Sequence, residues 1–197
     1  DVWDFLATSG IQDSKKLSSQ KRRKIIAAFS QDLSQLKINQ NYLLAEQNGW
    51  RLWLRLTQLE PLEIDRMNIL RASLEGMKRS TMGLLQSLSR ESAEFQWQGS
   101  VLVDGSRAFE LHGRKSRIRV SPIVKGDHKS LLIGLASIFA KEYRDNLMEE
   151  YGKQYPGYGL EEHAGYPTVK HREAIQKLGP CAIHRKSFKG VREFCRA

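Results

Sequence analysis

Val101-Leu102-Val103-Asp104-Gly105 reads as a short buried strand that ends in an acidic residue. Aliphatic residues suit a pleated buried surface, and a carboxylate that the core cannot solvate is carried to the end of the sheet, toward water. Such a position suits a hard-metal ligand, because Mg²⁺ prefers oxygen ligands and keeps several of its waters. On its own, Asp-Gly is more simply a strand-ending turn. Downstream, Arg117 to Val124 is a second strand candidate, and Lys129 to Tyr151 carries the strongest helix pattern in the chain. That helix is apolar on most sides and is expected to be central. Along it Ser137, Lys141 and Asp145 fall at i, i+4 and i+8 and share one face. The stripe is either a solvent face with an ordinary Lys–Asp pair or a set of polar groups gathered for a partner. Ser130 extends it toward the helix N-terminus, where Lys125 and Lys129 stand beside free N–H groups that suit a phosphate.

Upstream, residues 1–12 read as a loop. Ser18 is an expected N-cap for a basic amphipathic helix to about Lys37, with Ile25, Ile26, Phe29, Leu33 and Leu36 on its apolar side. Trp50 to Thr57 alternates Trp50, Leu52, Leu54 and Leu56 with Arg51 and Arg55, the period of a half-buried strand that only Trp53 interrupts. Pro61 opens a long helical stretch through Ile64, Met67, Ile69, Leu70, Leu74, Met77 and Leu84. A polar loop is expected over Gln86 to Gln98. The tail beyond Tyr155 is rich in Gly, Pro, His and aromatic residues, with one short helix near Lys170 to Leu178. Strands and helices in this order imply an α/β domain with helices packed on a mixed sheet.

The chain has 197 residues, enough for one domain with a real core, and 32 Lys and Arg against 22 Asp and Glu give a net charge of +10. That balance favours a polyanion, either nucleic acid or an anionic membrane surface. No apolar run approaches a membrane span and no signal-peptide pattern occurs, so a soluble protein is expected. Cys181 and Cys195 are too few for a disulfide framework and read as free thiols in a reducing cytosol. His163, His171 and His184 lack zinc-site spacing, so zinc is not expected. The Lys21-Arg22-Arg23-Lys24 cluster reads as a solvated helix face in preference to a phosphate contact. Arg185, Lys186, Lys189, Arg192 and Arg196 either extend a binding surface or solubilise the tail.

Several segments then resemble ribonuclease HII, the type 2 ribonuclease H family, in the family's order. They are Asp13-Ser14-Lys15-Lys16-Leu17-Ser18, Ile64-Asp65-x-x-Asn68-Ile69-Leu70-x-Ala72-Ser73-Leu74, Val101 to Gly105, Val124-Lys125-Gly126-Asp127-x-Lys129-Ser130, and Ala136-Ser137-Ile138-x-Ala140-Lys141-x-x-Arg144-Asp145. Tyr155-Pro156-Gly157-Tyr158-Gly159, His163-x-Gly165-Tyr166-Pro167-Thr168 and Ile183-His184-Arg185-x-Ser187-Phe188 complete the set, so the resemblance covers nearly everything from Gln12 onward. It implies one ribonuclease H-like domain over 1–197, a mixed sheet flanked by helices, with a helical, substrate-binding C-terminal extension from about 152. It assigns Asp104 and Asp145 as two of four carboxylates that hold Mn²⁺ or Mg²⁺, with Asp104 shared between two ions. Tyr166 matches the tyrosine that senses the junction between a ribonucleotide and the next deoxynucleotide, while Ser137, Lys141, Lys129 and His184 are candidates for backbone contacts. Asp127 is taken as structural. The implied activity is endonucleolytic cleavage of the RNA strand of RNA–DNA hybrids, and 5′ of single ribonucleotides in duplex DNA, by a cytoplasmic monomer acting in replication and ribonucleotide excision repair.

Two departures qualify that. The family's other two carboxylates lie in an Asp-Glu-x-Gly-Arg-Gly segment on a first strand hairpin, and neither Asp-Glu nor Gly-Arg-Gly occurs in this chain. Either the chain is a fragment of a longer one or it is a degenerate homologue that binds hybrids without cutting them. In both cases the chain as it stands is expected to be inactive, with strand edges and apolar surface exposed where the family has its central strand. Ala164 also stands where the family usually has Lys.

Overall fold

The computed structural model describes residues 1–11, 16–29, 32–47, 49–89, 98–111 and 117–195; the Asp13-Ser14-Lys15 part of the Asp-Ser-Lys-Lys motif lies outside them. Helix α1 spans Val2–Thr8, where a loop was expected. Its cause is local: the Asp1 carboxylate accepts from the N–H groups of Trp3 and Asp4, and Asp4 caps in return, a reciprocal capping box. Helix α2 spans Ser19–Ala28, and Ser18 is its N-cap as expected, accepting from the N–H of Lys21. It ends well before Lys37, because residues 33–35 form only a separate 3-10 turn.

Strand β1 (Asn41–Gln47), which the sequence did not announce, pairs antiparallel with β2 (Trp50–Arg55), with an irregularity between Leu43 and Ala45. Its residues lack clean alternation, and the extra residue at Leu44 shifts the face midway. In β2 the expected inward set holds, with Leu52 and Leu54 buried. Helix α3 (Pro61–Met67) starts at the proline, and α4 spans Ile69–Ser89, so the single long helix expected from Pro61 is broken. The break is Asn68, at φ 75, whose side chain accepts from the N–H of Arg71. Asparagine tolerates the left-handed region and caps the start of α4. Helix α4 runs through Ser89, so only residues 90–97 of the expected polar loop fall outside the described residues.

Strands β3 (Gln98–Asp104) and β4 (Arg117–Ile123) pair in parallel from Gln98↔Arg117 to Asp104↔Ile123. Strand directions are therefore mixed, as the α/β expectation required, but among the described residues the two pairs form separate two-stranded sheets. The short α5 (Gly126–Lys129) precedes the long α6 (Leu131–Gln154). Helices α7 (Leu160–His163) and α8 (Val169–Leu178) occupy the tail. No described helix is long and apolar enough to cross a membrane.

The chain groups into two compact units, Asp1–Gln58 with Leu74–Glu142, and Leu59–Ser73 with Tyr143–Ala197. In the first, α1, the C-cap of α2, the start of β2 and the first half of α6 meet through aromatic contacts: Phe5 to Phe29 at 5.7 Å, Phe5 to Trp50 at 5.4 Å and Phe29 to Phe139 at 6.3 Å between ring centroids. Beside them Glu142, 0% exposed, accepts from Ser19 Oγ at 2.7 Å, Arg22 Nε at 2.8 Å and Arg23 Nε at 2.6 Å. The basic cluster is thus not simply a solvated face: Arg22 is buried and tied to Glu142. Burial pushes the Glu142 carboxyl up, but the three hydrogen bonds and the Arg22 charge outweigh it and leave its pKa below the ordinary value. In the second unit Tyr158, Leu160 and Ile175 form a core against Tyr151, Tyr155, Ala174, Cys181, Ile183 and Val191.

Candidate metal and nucleic-acid site

Asp104 is the last residue of β3, and its exposed carboxylate follows a buried Val103. The turn after β4 aims a donor at it: Lys125 adopts the left-handed conformation at φ 56, and the N–H of Gly126 donates to Asp104 Oδ1 at 2.8 Å. A Cβ at position 126 would lie 3.1 Å from that oxygen and 2.6 Å from Ile133 Cδ1. Glycine is therefore needed for the approach, which fixes one carboxylate oxygen of Asp104. Helix α5 also lines an open cleft of about 340 Å³ with Ile11, Lys16, Asp127, His128, Lys129, Ser130 and Leu131. Lys129 is exposed there and Asp127 is buried.

Along α6, Ser137, Lys141 and Asp145 are all half-buried on one stripe. Ser130 caps the helix, its Oγ accepting from Ile133 N–H at 3.4 Å. Ser137 and Lys141 lie in the first unit with Asp104 and Lys129, and Asp145 lies in the second with Tyr166 and His184. The donors fit a hard divalent cation in kind, being carboxylate oxygens on a strand end and a helix. They fall short in number, since no group of three or more His, Cys, Asp or Glu placed to hold a metal occurs among the described residues.

In the second unit Tyr166 is 47% exposed, and the Arg144 guanidinium lies 4.9 Å from its ring centroid, within cation–π reach. Arg144 also donates to the Ala164 carbonyl at 3.0 Å. The Tyr166 carbonyl accepts from Thr168 N–H at 2.8 Å and from His171 Nδ1 at 3.0 Å. His184 is 7% exposed, and both its ring nitrogens are engaged inside the chain, Nε2 with His171 and Nδ1 with Cys181. Desolvation, and next the neighbouring His171, lower its pKa to about 4. The Ile183-to-Phe188 segment is braced by Asp65, which accepts from Lys186 N–H, Ser187 N–H and Ser187 Oγ at 2.7, 3.0 and 2.6 Å. Arg185 lies over Phe188 at 3.5 Å.

Gly126, Arg144, Asp65 and His171 therefore support the candidate residues without having been singled out for it. Gly126, Asp65 and Arg144 stood in the segments that carry the resemblance, but only Gly126 had a local structural signal, a glycine between a strand and a helix. The others act through partners 20 to 122 residues away or on a backbone carbonyl, which no local pattern encodes.

A family model described as ribonuclease HII matches residues 1–191. A protein of Zymomonas mobilis named ribonuclease HII is 39% identical over 185 residues, covering 94% of this chain and 72% of that protein. One of Nitrosococcus oceani with the same name is 38% identical over 191 residues, covering 96% and 78%. In Anaeromyxobacter the protein so named is 38% identical over 184 residues, covering 93% of this chain but 48% of its own length. The crystal structure of the ribonuclease H2 from Pyrococcus horikoshii OT3 is similar in fold, with a TM-score of 0.58 at 22% identity over 97% of this chain and 82% of that one.

Proposed function

The chain belongs to the ribonuclease HII family, and from that premise we propose that it supplies most of an endonuclease that cuts the RNA strand of RNA–DNA hybrids and cuts 5′ of single ribonucleotides in duplex DNA. The observation that carries this reading is Asp104, an exposed carboxylate at a strand end with one oxygen fixed by Gly126 N–H. Asp104 and Asp145 would hold Mg²⁺ or Mn²⁺, Asp104 as the shared ligand. When bound, a pair of such ions supplies a nucleophilic water and stabilises the leaving 3′-oxygen, so that the product carries a 5′-phosphate. Lys129, Ser137 and Lys141 face the nucleic-acid backbone and supply affinity that falls with salt. Tyr166, its ring covered on one side by Arg144, packs its other side on the deoxyribose after the ribonucleotide. An additional 2′-hydroxyl there would clash, and that group is what separates RNA from DNA at one nucleotide. Residues 1–197 make up one ribonuclease H-like domain, of which residues from about 152 onward are the substrate-binding extension. Cytoplasmic location, monomeric state and a place in ribonucleotide excision repair complete the proposal.

A second reading is a hybrid-binding module without catalysis, and one observation favours it: the sequence holds no Asp-Glu pair and no Gly-Arg-Gly. Two carboxylates bind Mg²⁺ weakly, since it sheds water reluctantly, so residues 1–197 alone should not cut. Fusion to a hairpin carrying Asp-Glu-x-Gly-Arg-Gly, assayed on a duplex with one ribonucleotide, separates the two. Recovered cleavage supports the enzyme, and a folded fusion that binds without cutting supports the module.

A further inference from the structure

The second unit holds three histidines in contact, none of which the proposed chemistry uses directly. His163 and His171 stack with centroids 4.3 Å apart, and His171 and His184 lie 5.3 Å apart. Their hydrogen bonds leave one proton arrangement. A carbonyl can only accept, so His171 Nδ1, 3.0 Å from the Tyr166 carbonyl, carries a proton. Likewise Cys181 N–H can only donate, so His184 Nδ1, 3.0 Å away, has none, and Cys181 Sγ, also 3.0 Å from that nitrogen, faces it as a thiol donor. A neutral His184 then carries its proton on Nε2 and donates it across 3.1 Å to His171 Nε2, which must be bare. The chain of donors runs one way, from Cys181 N–H through His184 and His171 to the Tyr166 carbonyl. An added proton on His171 would set two N–H groups face to face. The depressed pKa values of both rings, caused first by burial, agree with this.

That carbonyl belongs to the peptide from which the Tyr166 side chain projects into solvent, ahead of Pro167 and the Thr168 N-cap of α8. The Tyr166 N–H is fixed as well, donating to the His163 carbonyl at 2.8 Å, and His163 Nε2 lies 2.9 Å from the Tyr158 carbonyl. The structure assigns His171 and His184 as positioning residues that hold Tyr166 in the orientation needed for junction recognition, through a one-way relay of two neutral imidazoles. This rests on the reading of Tyr166 given above. It replaces direct contact with nucleic acid as the role of His184, whose ring nitrogens are both engaged and whose side chain is buried.

The first test uses the unaltered chain. Long-range ¹H–¹⁵N NMR of the imidazoles at neutral pH should show a proton on Nδ1 of His171 and on Nε2 of His184. The opposite tautomers, or a charged His171, overturn the relay. The second test compares His171→Asn, whose amide N–H takes the place of Nδ1–H, with His171→Leu, which has no donor. With metal chelated so that nothing is cut, the preference for a duplex containing a ribonucleotide–deoxynucleotide junction over all-DNA duplex is measured by anisotropy. His171→Leu should lose about five-fold of that preference, the weight of one net hydrogen bond, with the salt dependence unchanged, while His171→Asn should keep most of it. A folded His171→Leu with full preference overturns the positioning role; if that variant does not fold, the tautomers decide. Tyr166→Ala in the same assay keeps the two ideas apart. Full preference in Tyr166→Ala removes the tyrosine reading itself, whereas loss there with none in His171→Leu removes only the relay.

Discussion

Gly126 donates its backbone N–H to the Asp104 oxygen that a side chain at position 126 would approach to 3.1 Å. The same Cβ would meet Ile133 Cδ1 at 2.6 Å, and Ile133 is buried. Gly126→Ala should therefore cost about 1–3 kcal/mol of stability by overpacking. In a chain completed with the Asp-Glu hairpin it should also lower single-turnover cleavage at least about ten-fold, because a displaced carboxylate loses the geometry that Mg²⁺ demands. Urea unfolding and a cleavage time course measure the two effects. Wild-type values in both would show that this glycine is not required.

Glu142 is the counter-charge for a buried Arg22, so Glu142→Gln should cost about 3–5 kcal/mol, the penalty for an uncompensated buried ion. The folded carboxyl has a depressed pKa. Its stabilisation is thus present above the ordinary value of 4.5 and is lost as pH falls below that through the folded value. Urea midpoints of both proteins at pH 7 and in acid measure this. A difference that fails to shrink in acid would mean that the ion pair is not its source.

His184 titrates in a different window. Its folded pKa is lowered from 6.5 to about 4, so the unfolded chain binds the extra proton first and stability declines as pH drops from 6.5 toward 4. Thermal unfolding followed across that range should show a decline that His184→Gln flattens. A wild-type curve flat over the same interval would contradict a neutral, buried His184.

Much of this was legible where the cause is local. The Ser18 cap, the strand that ends at Asp104, the second strand from Arg117, and α8 follow from neighbouring residue types, because caps and aliphatic runs act over a few residues, whereas the parallel pairing of the two strands does not. Asp1 and Asp4 were equally local and could have been read as a capping box. The break at Asn68 was not legible, since asparagine adopts left-handed backbone only in some settings. Arg22 looked like a solvated lysine-rich face because its partner is 120 residues distant. Asp104 could be picked out by its strand, but the burial of His184 and its bond to His171 depend on packing that a one-dimensional pattern does not contain.

In a chain completed with the Asp-Glu hairpin, Tyr166→Ala should weaken cleavage at a single ribonucleotide much more than affinity for duplex, which comes mainly from phosphates and depends steeply on salt. Cleavage of a single-ribonucleotide duplex and of an all-RNA-strand hybrid, each across a salt series, measures the contrast. Equal losses on both substrates would remove Tyr166 from junction sensing.

Asp104→Asn, in a chain fused to an Asp-Glu-x-Gly-Arg-Gly hairpin, tests the central claim most directly. The amide keeps an oxygen for Gly126 N–H but removes the charge that holds divalent ions, so the protein should stay folded and bind hybrid as before. Cleavage of a DNA duplex with one ribonucleotide, measured at ordinary Mg²⁺, should fall by about three orders of magnitude or more, as the loss of metal-borne stabilisation requires. Turnover within a few-fold of the unsubstituted fusion would contradict Asp104 as the shared metal ligand.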